Sequence, residues 1–133
     1  MGSFANRMED EVLDHVFRAT AYSAPTNIYA GLFTAATDLE VGLGTEVSGN
    51  GYERSLVTFA AASGGVIDNN AITNFPTASG GAWGTVTHSA LFESATPGSA
   101  DTMTSLTTLD ASRVVSDGDT FRFPVSSFTI TLD

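Results

Sequence analysis

The sequence predicts a mainly β protein, an antiparallel β-sandwich of about eight short strands preceded by one N-terminal amphipathic α-helix. Three observations predict it. Short runs of alternating apolar and polar residues recur at intervals of roughly ten residues. Turn clusters such as Ser63-Gly64-Gly65, Ser79-Gly80-Gly81 and Thr96-Pro97-Gly98 separate them. Helical periodicity is confined to the first segment, so no helices alternate with the strands. With 133 residues the chain is expected to form a single domain, 1–133, with a helix over 3–18 and a sandwich over 27–133.

The helix is predicted over Ser3–Arg18, with Ser3 as its N-cap and the acidic trio Glu9, Asp10 and Glu11 following. Phe4, Met8, Val12 and Val16 recur every four residues, flanked by Leu13 and Phe17, which gives one apolar stripe. Such a stripe either covers the sheet of its own chain or docks on a neighbouring subunit. Phe4, Met8, Val12 and Val16 are therefore the candidate docking interface.

Asn27–Thr34 is predicted as the first strand, with Ile28, Ala30 and Leu32 on one face and Tyr29, Gly31 and Phe33 on the other. Apolar residues on both faces imply a central strand covered on both sides, by the helix on one of them. The glycine-rich acidic stretch 37–51 is predicted as a long loop ending in the Gly49-Asn50-Gly51 turn. Arg54–Ala60 alternates as a second strand. Val66-Ile67 and Ala71–Phe75 read as partners across the Asp68-Asn69-Asn70 turn, with Pro76 ending the latter. Trp83–Glu93 is the longest strand-like run, free of proline and rich in β-branched residues, and is assigned the centre of the sheet with Trp83 in the core. Met103–Leu109 and Arg113–Val115 follow as separate strands. Thr120–Phe123 and Ser127–Leu132 are expected to close the chain as a pair around Pro124.

Charge narrows function. Net charge is −10, and all five basic residues are Arg. A nucleic-acid surface needs a basic stripe to displace counterions, so that class is set aside. Cysteine is absent, which removes disulfides and thiolate chemistry. No run approaches the length needed to span a bilayer, and the N-terminus lacks the pattern of a signal peptide, so neither membrane insertion nor secretion by that route is expected.

No constellation declares catalysis, a cofactor or a metal. His15 and His88 have no partner at metal-ligand spacing and read as structural residues. A calcium site from Asp38, Glu40 and Glu46 fits no EF-hand spacing, and no Gly-x-Ser-x-Gly elbow supports a catalytic triad. Asp117-Gly118-Asp119 reads as a hairpin turn rather than as paired catalytic carboxylates. Tyr22, Tyr52 and Trp83 are the aromatic candidates for contact. Tyr52, beside the glycine turn, is the one proposed to touch a ligand such as a host glycan.

Leu13-Asp14-His15-Val16, Tyr29–Thr34, Gly44–Gly49 with Tyr52-Glu53-Arg54, Phe75–Ala78 leading to Trp83–His88, Gly118-Asp119-Thr120 and Thr129–Leu132 occur in order. In that order they resemble a family of small tailed-bacteriophage structural proteins, usually labelled phage tail-fibre proteins. The resemblance implies a non-enzymatic virion component, a tail-fibre-like or capsid decoration protein made in the host cytoplasm. It further implies homo-oligomerisation and docking to capsid or tail subunits, with a carbohydrate-binding module for host glycan as the alternative. No catalytic residue is carried over.

Overall fold

A computed structural model describes residues 3–98 and 103–132. Its main sheet is antiparallel. β7 (Gly84–Phe92) lies at the centre, between β2 (Ile28–Asp38) and β8 (Met103–Val115). Beyond β2 lie β3 (Leu43–Glu46) and β4 (Ser55–Val57), each on a different stretch of it, and β1 (Ser3–Phe4) pairs with β8. Two ribbons form the opposing layer, β5 (Val66–Asp68) with β10 (Thr129–Thr131) and β6 (Thr73–Thr77) with β9 (Thr120–Phe123). The mainly β, sandwich-like fold with one N-terminal helix is the predicted one.

The core lies between these layers. Ala30, Leu32, Val57, Val86, Leu91 and Val115 from the main sheet meet Phe75, Phe121, Phe123 and Phe128 from the second layer. The phenylalanines pack edge to face or tilted, with centroids 4.6 to 6.1 Å apart, the arrangement aromatic quadrupoles favour. Trp83 is buried as predicted, donating its ring N–H to the Asn50 carbonyl at 3.0 Å. Asn69, fully buried, fastens the two ribbons. Its amide donates to the Ala71 and Pro124 carbonyls, both at 2.9 Å, and its carbonyl accepts from the Phe128 N–H at 2.8 Å. A buried amide with all these bonds made avoids the desolvation cost of an unpaired one.

The other face of the main sheet carries a second apolar cluster of Ala5, Phe33, Leu39, Ala90 and Phe92. Helix α1 (Asn6–Phe17) packs on this side, mainly on β8, β1 and the 3-10 turn Leu39–Val41 rather than on β2 as expected. β2 is covered on this face by Leu39 against Phe33 and by the Glu46 side chain over Gly31. β7 serves both layers through a bulge. A step of two residues in β7, Val86 to His88, faces a step of five in β8, Thr108 to Arg113. The bulge resets the alternation, so Val86 and Leu91 join one cluster while Ala90 and Phe92 join the other.

Several predicted details are corrected. The helix begins at Asn6, and the N-cap position is Ala5, not Ser3. Ser3 and Phe4 instead extend along β8, where they pair with an otherwise open edge. The stretch read as a loop contains a 3-10 turn, Leu39–Val41, and β3. β6 runs through Pro76, which sits at an irregularity in the ladder between Asn74 and Thr77, where no donor is demanded. β5 pairs with β10 rather than with β6, and β9 and β10 do not pair with each other. β8 is continuous because its bulge absorbs Asp110–Ser112. The Asp117–Asp119 turn joins the two layers instead of closing a hairpin, and it is clasped by the Gly118 N–H on the Ala78 carbonyl at 2.8 Å.

Candidate functional site

Two polar centres, each of one Glu, one Arg and one Tyr, and one apolar helix face stand out. The first centre lies where β3, β4 and the Tyr52-Glu53-Arg54 approach meet the second face of the sheet. Arg54 donates through Nε to Glu46 Oε1 at 2.8 Å and through Nη2 to Oε2 at 2.9 Å. Nη1 donates to the Ser94 carbonyl at 2.9 Å, and the guanidinium lies 3.4 Å over the Phe92 ring. The Arg54 side chain is fully buried and that of Glu46 is 8% exposed. Tyr52 completes the centre, donating its hydroxyl to Glu46 Oε1 at 2.9 Å and accepting from the Leu32 N–H at 2.8 Å. Burial, and then the Glu46 charge, push the Tyr52 phenol well up.

Glu46 also accepts from the Gly98 N–H at 2.6 Å. Its carboxylate thus takes four hydrogen bonds, which leaves it neither a proton acceptor for substrate nor a ligand for a cation. The shallow groove of about 370 Å³ beside it is lined by Phe33, Glu46, Arg54 and Gly98, with the charged groups turned toward each other. Gly31 is required beneath it. A Cβ there would stand 2.8 Å from Glu46 Oε1 and 2.8 Å from the Phe92 ring.

The second centre ties the helix to the sheet. Arg7 on α1 donates to both Glu93 oxygens at 3.1 Å, just beyond the end of β7. Tyr22, in the chain leaving α1, donates its hydroxyl to Glu93 Oε1 and its backbone N–H to His15 Nδ1. Partial burial and then the bond to Glu93 raise the Tyr22 phenol to about 12, and the same Glu93 contact raises Arg7.

The predicted docking residues separate. Met8 is buried in its own chain, Val12 is half-buried, and Phe4 lies half-buried in β1 rather than on the helix. Val16 is 62% exposed, with Leu13 at 54% and Phe17 at 79%. Glu9 shares their outward face at i, i+4 and i+8 spacing with Leu13 and Phe17. Tyr52 is corrected most. Predicted as an exposed ligand contact, it is 7% exposed, with its ring against Trp83 and Phe75, and no external sugar can stack on it. His88 hydrogen-bonds Thr87 Oγ1 at 2.8 Å. Among the described residues no group of His, Asp or Glu could hold a metal ion, and no helix is long and apolar enough to cross a membrane.

The family model of the podophage GP4 fiber I protein gp80 matches residues 3–131, nearly the whole chain. The chain belongs to this family. Membership makes it a virion structural protein of the phage fibre type, and so part of the particle. No curated protein matches the chain. The Glu46 centre is saturated by groups of its own chain, whereas Leu13, Val16 and Phe17 stand exposed on the helix. Sequence reasoning considers Glu46 only as a calcium ligand, whereas it is the partner of Arg54, and it does not single out Arg54, Arg7 or Glu93. The available signal was scarcity, since each Arg in a chain with three times as many acids has carboxylates competing for it.

Proposed function

We propose that this fibre-type protein acts by docking on a neighbouring virion subunit through the outward face of α1, with Leu13, Val16 and Phe17 as anchors. The observation that carries the reading is their exposure on a helix held firmly from within. Met8 and the Arg7–Glu93 pair fix the inner side of α1, so the outer side is presented in one orientation. An amphipathic helix laid in a partner's groove uses residues at this spacing. Each anchor buried on docking contributes on the order of 2 kcal/mol.

The test is incorporation into particles. Leu13→Ser with Phe17→Ser removes exposed apolar surface and leaves folding intact. Phage carrying the double substitution are expected to lose the protein from purified virions, as read by quantitative mass spectrometry. Unchanged incorporation overturns the reading. Mass photometry of the isolated protein then tells whether the partner is a second copy or another subunit, and a map of the native particle gives its place on tail or capsid.

A further inference from the structure

Five arginines oppose fifteen Asp and Glu in this chain. Three are paired, Arg7 with Glu93, Arg18 with Asp14 and Arg54 with Glu46. The other two, Arg113 on β8 and Arg122 on β9, have no ion-pair partner among the described residues, and both line one groove of about 540 Å³. In so acidic a chain an unpaired arginine is the exception. Two in one groove form a local cationic site within a field of opposite sign.

The fold makes room for it. The groove lies where the bulge of β8 carries Asp110 and Ala111 out of register with β7. Bulges of this kind re-aim side chains beside binding sites. Its far wall is β9, paired among the described residues with β6, and the turn after Pro124. There Ser126 holds a left-handed backbone with φ 61°, a conformation that costs a non-glycine residue energy and that clusters at functional positions. Hydroxyl side chains of Thr108, Ser126 and Ser127 line the walls, and Asp110 is the one carboxylate among them. Phe121 and Phe123 close the floor with their rings almost wholly in the core, so no aromatic face is offered.

We propose that this groove binds an acidic saccharide, with its carboxylates held by the guanidinium forks of Arg113 and Arg122. Sugar hydroxyls then exchange hydrogen bonds with Thr108, Ser126 and Ser127 and donate to Asp110. A neutral sugar would need an aromatic platform that the groove lacks. A nucleic acid would need a longer basic track than two cations supply. A peptide strand added along β9 would be read through alternating side-chain pockets, whereas these walls offer hydroxyls. The site is independent of the helix docking face, because α1 packs on the opposite side of the main sheet from the layer that contains β9.

The experiment titrates the full-length protein with trigalacturonate, with its carboxyl-reduced counterpart and with inorganic phosphate, following backbone amide shifts by NMR. Trigalacturonate is expected to shift amides of Thr108–Arg113 and Phe121–Ser127 saturably, while the reduced sugar and phosphate do not. Arg113→Ala and Arg122→Ala are each expected to weaken binding about tenfold, the loss of one charge-assisted contact, with the remaining spectrum unchanged because both residues are exposed. The proposal is overturned by the absence of saturable shifts with trigalacturonate, by equal binding of the reduced sugar, by phosphate shifting the same amides, or by undiminished affinity in the Arg113→Ala, Arg122→Ala double variant. Loss of particle incorporation in the helix variants bears on docking alone and leaves these outcomes untouched.

Discussion

The two Glu–Arg–Tyr centres use the same three residue types to opposite ends. Glu46, Arg54 and Tyr52 lie within nine residues of chain and are buried, whereas Arg7, Tyr22 and Glu93 are gathered across most of the chain and stay partly wet. The buried centre fixes the sheet, since it joins β2, through the Leu32 N–H, to β3 and to the segment after β7. The wet centre joins only the helix and its exit to the end of β7. Burial decides how much each is worth, because an ion pair out of water depends wholly on its partner.

Breaking the buried centre should therefore have the largest effect. Arg54→Met leaves the Glu46 carboxylate buried with only neutral donors, a loss of about 3 to 5 kcal/mol, which is much of the stability of an ordinary domain. Urea denaturation of Arg54→Met should show a large fall in midpoint. Adding Glu46→Gln should recover part of it, because no net charge is then left in the core. A double variant no more stable than Arg54→Met would mean that packing against Phe92, rather than charge, is what Arg54 supplies.

The wet centre should respond weakly and locally. Arg7→Ala removes a bidentate pair whose side chains are 34% and 16% exposed, worth about 1 kcal/mol. Hydrogen exchange should quicken across Asn6–Phe17 and leave Gly84–Phe92 protected, since local opening tracks local contacts. Equal acceleration in both would show that the helix and the sheet unfold as one unit.

The contrast also explains what was legible in the sequence. Periodicity reports which face a side chain takes, so the central place of β7, the burial of Trp83 and the two covered faces of β2 could be read directly. It does not report which neighbour a strand will have. The exchange of partners among β5, β6, β9 and β10 turns on Asn69, whose contacts lie 55 and 59 residues away and whose sequence context reads only as a turn. Tyr52 departs from its sequence expectation for a related reason. A tyrosine beside a glycine turn looks exposed until Glu46 and the Leu32 N–H are known to meet its hydroxyl.

The smallest effect separates the centres by pH. The folded-state pKa of Tyr22 is raised to about 12, above the ordinary value near 10, because partial burial and the Glu93 bond favour the neutral phenol. A group raised in this way contributes its stability fully below the unfolded pKa and loses it as pH climbs through the folded one. The Tyr22 contribution is thus intact at neutral pH and fades between about pH 10 and 12, where the unfolded chain has already released its proton. Solvent screening keeps it small, because the ring is only partly buried. Tyr52 is raised as well, so total stability also falls in alkali for a reason seated in the sheet. Tyr22→Phe isolates the helix clamp. Over that window the exchange of α1 amides should rise with pH in the wild type beyond the ordinary base-catalysed rate and should lose this excess in Tyr22→Phe. The same excess in the variant would assign the alkaline loosening of the helix to Tyr52 and the sheet beneath it.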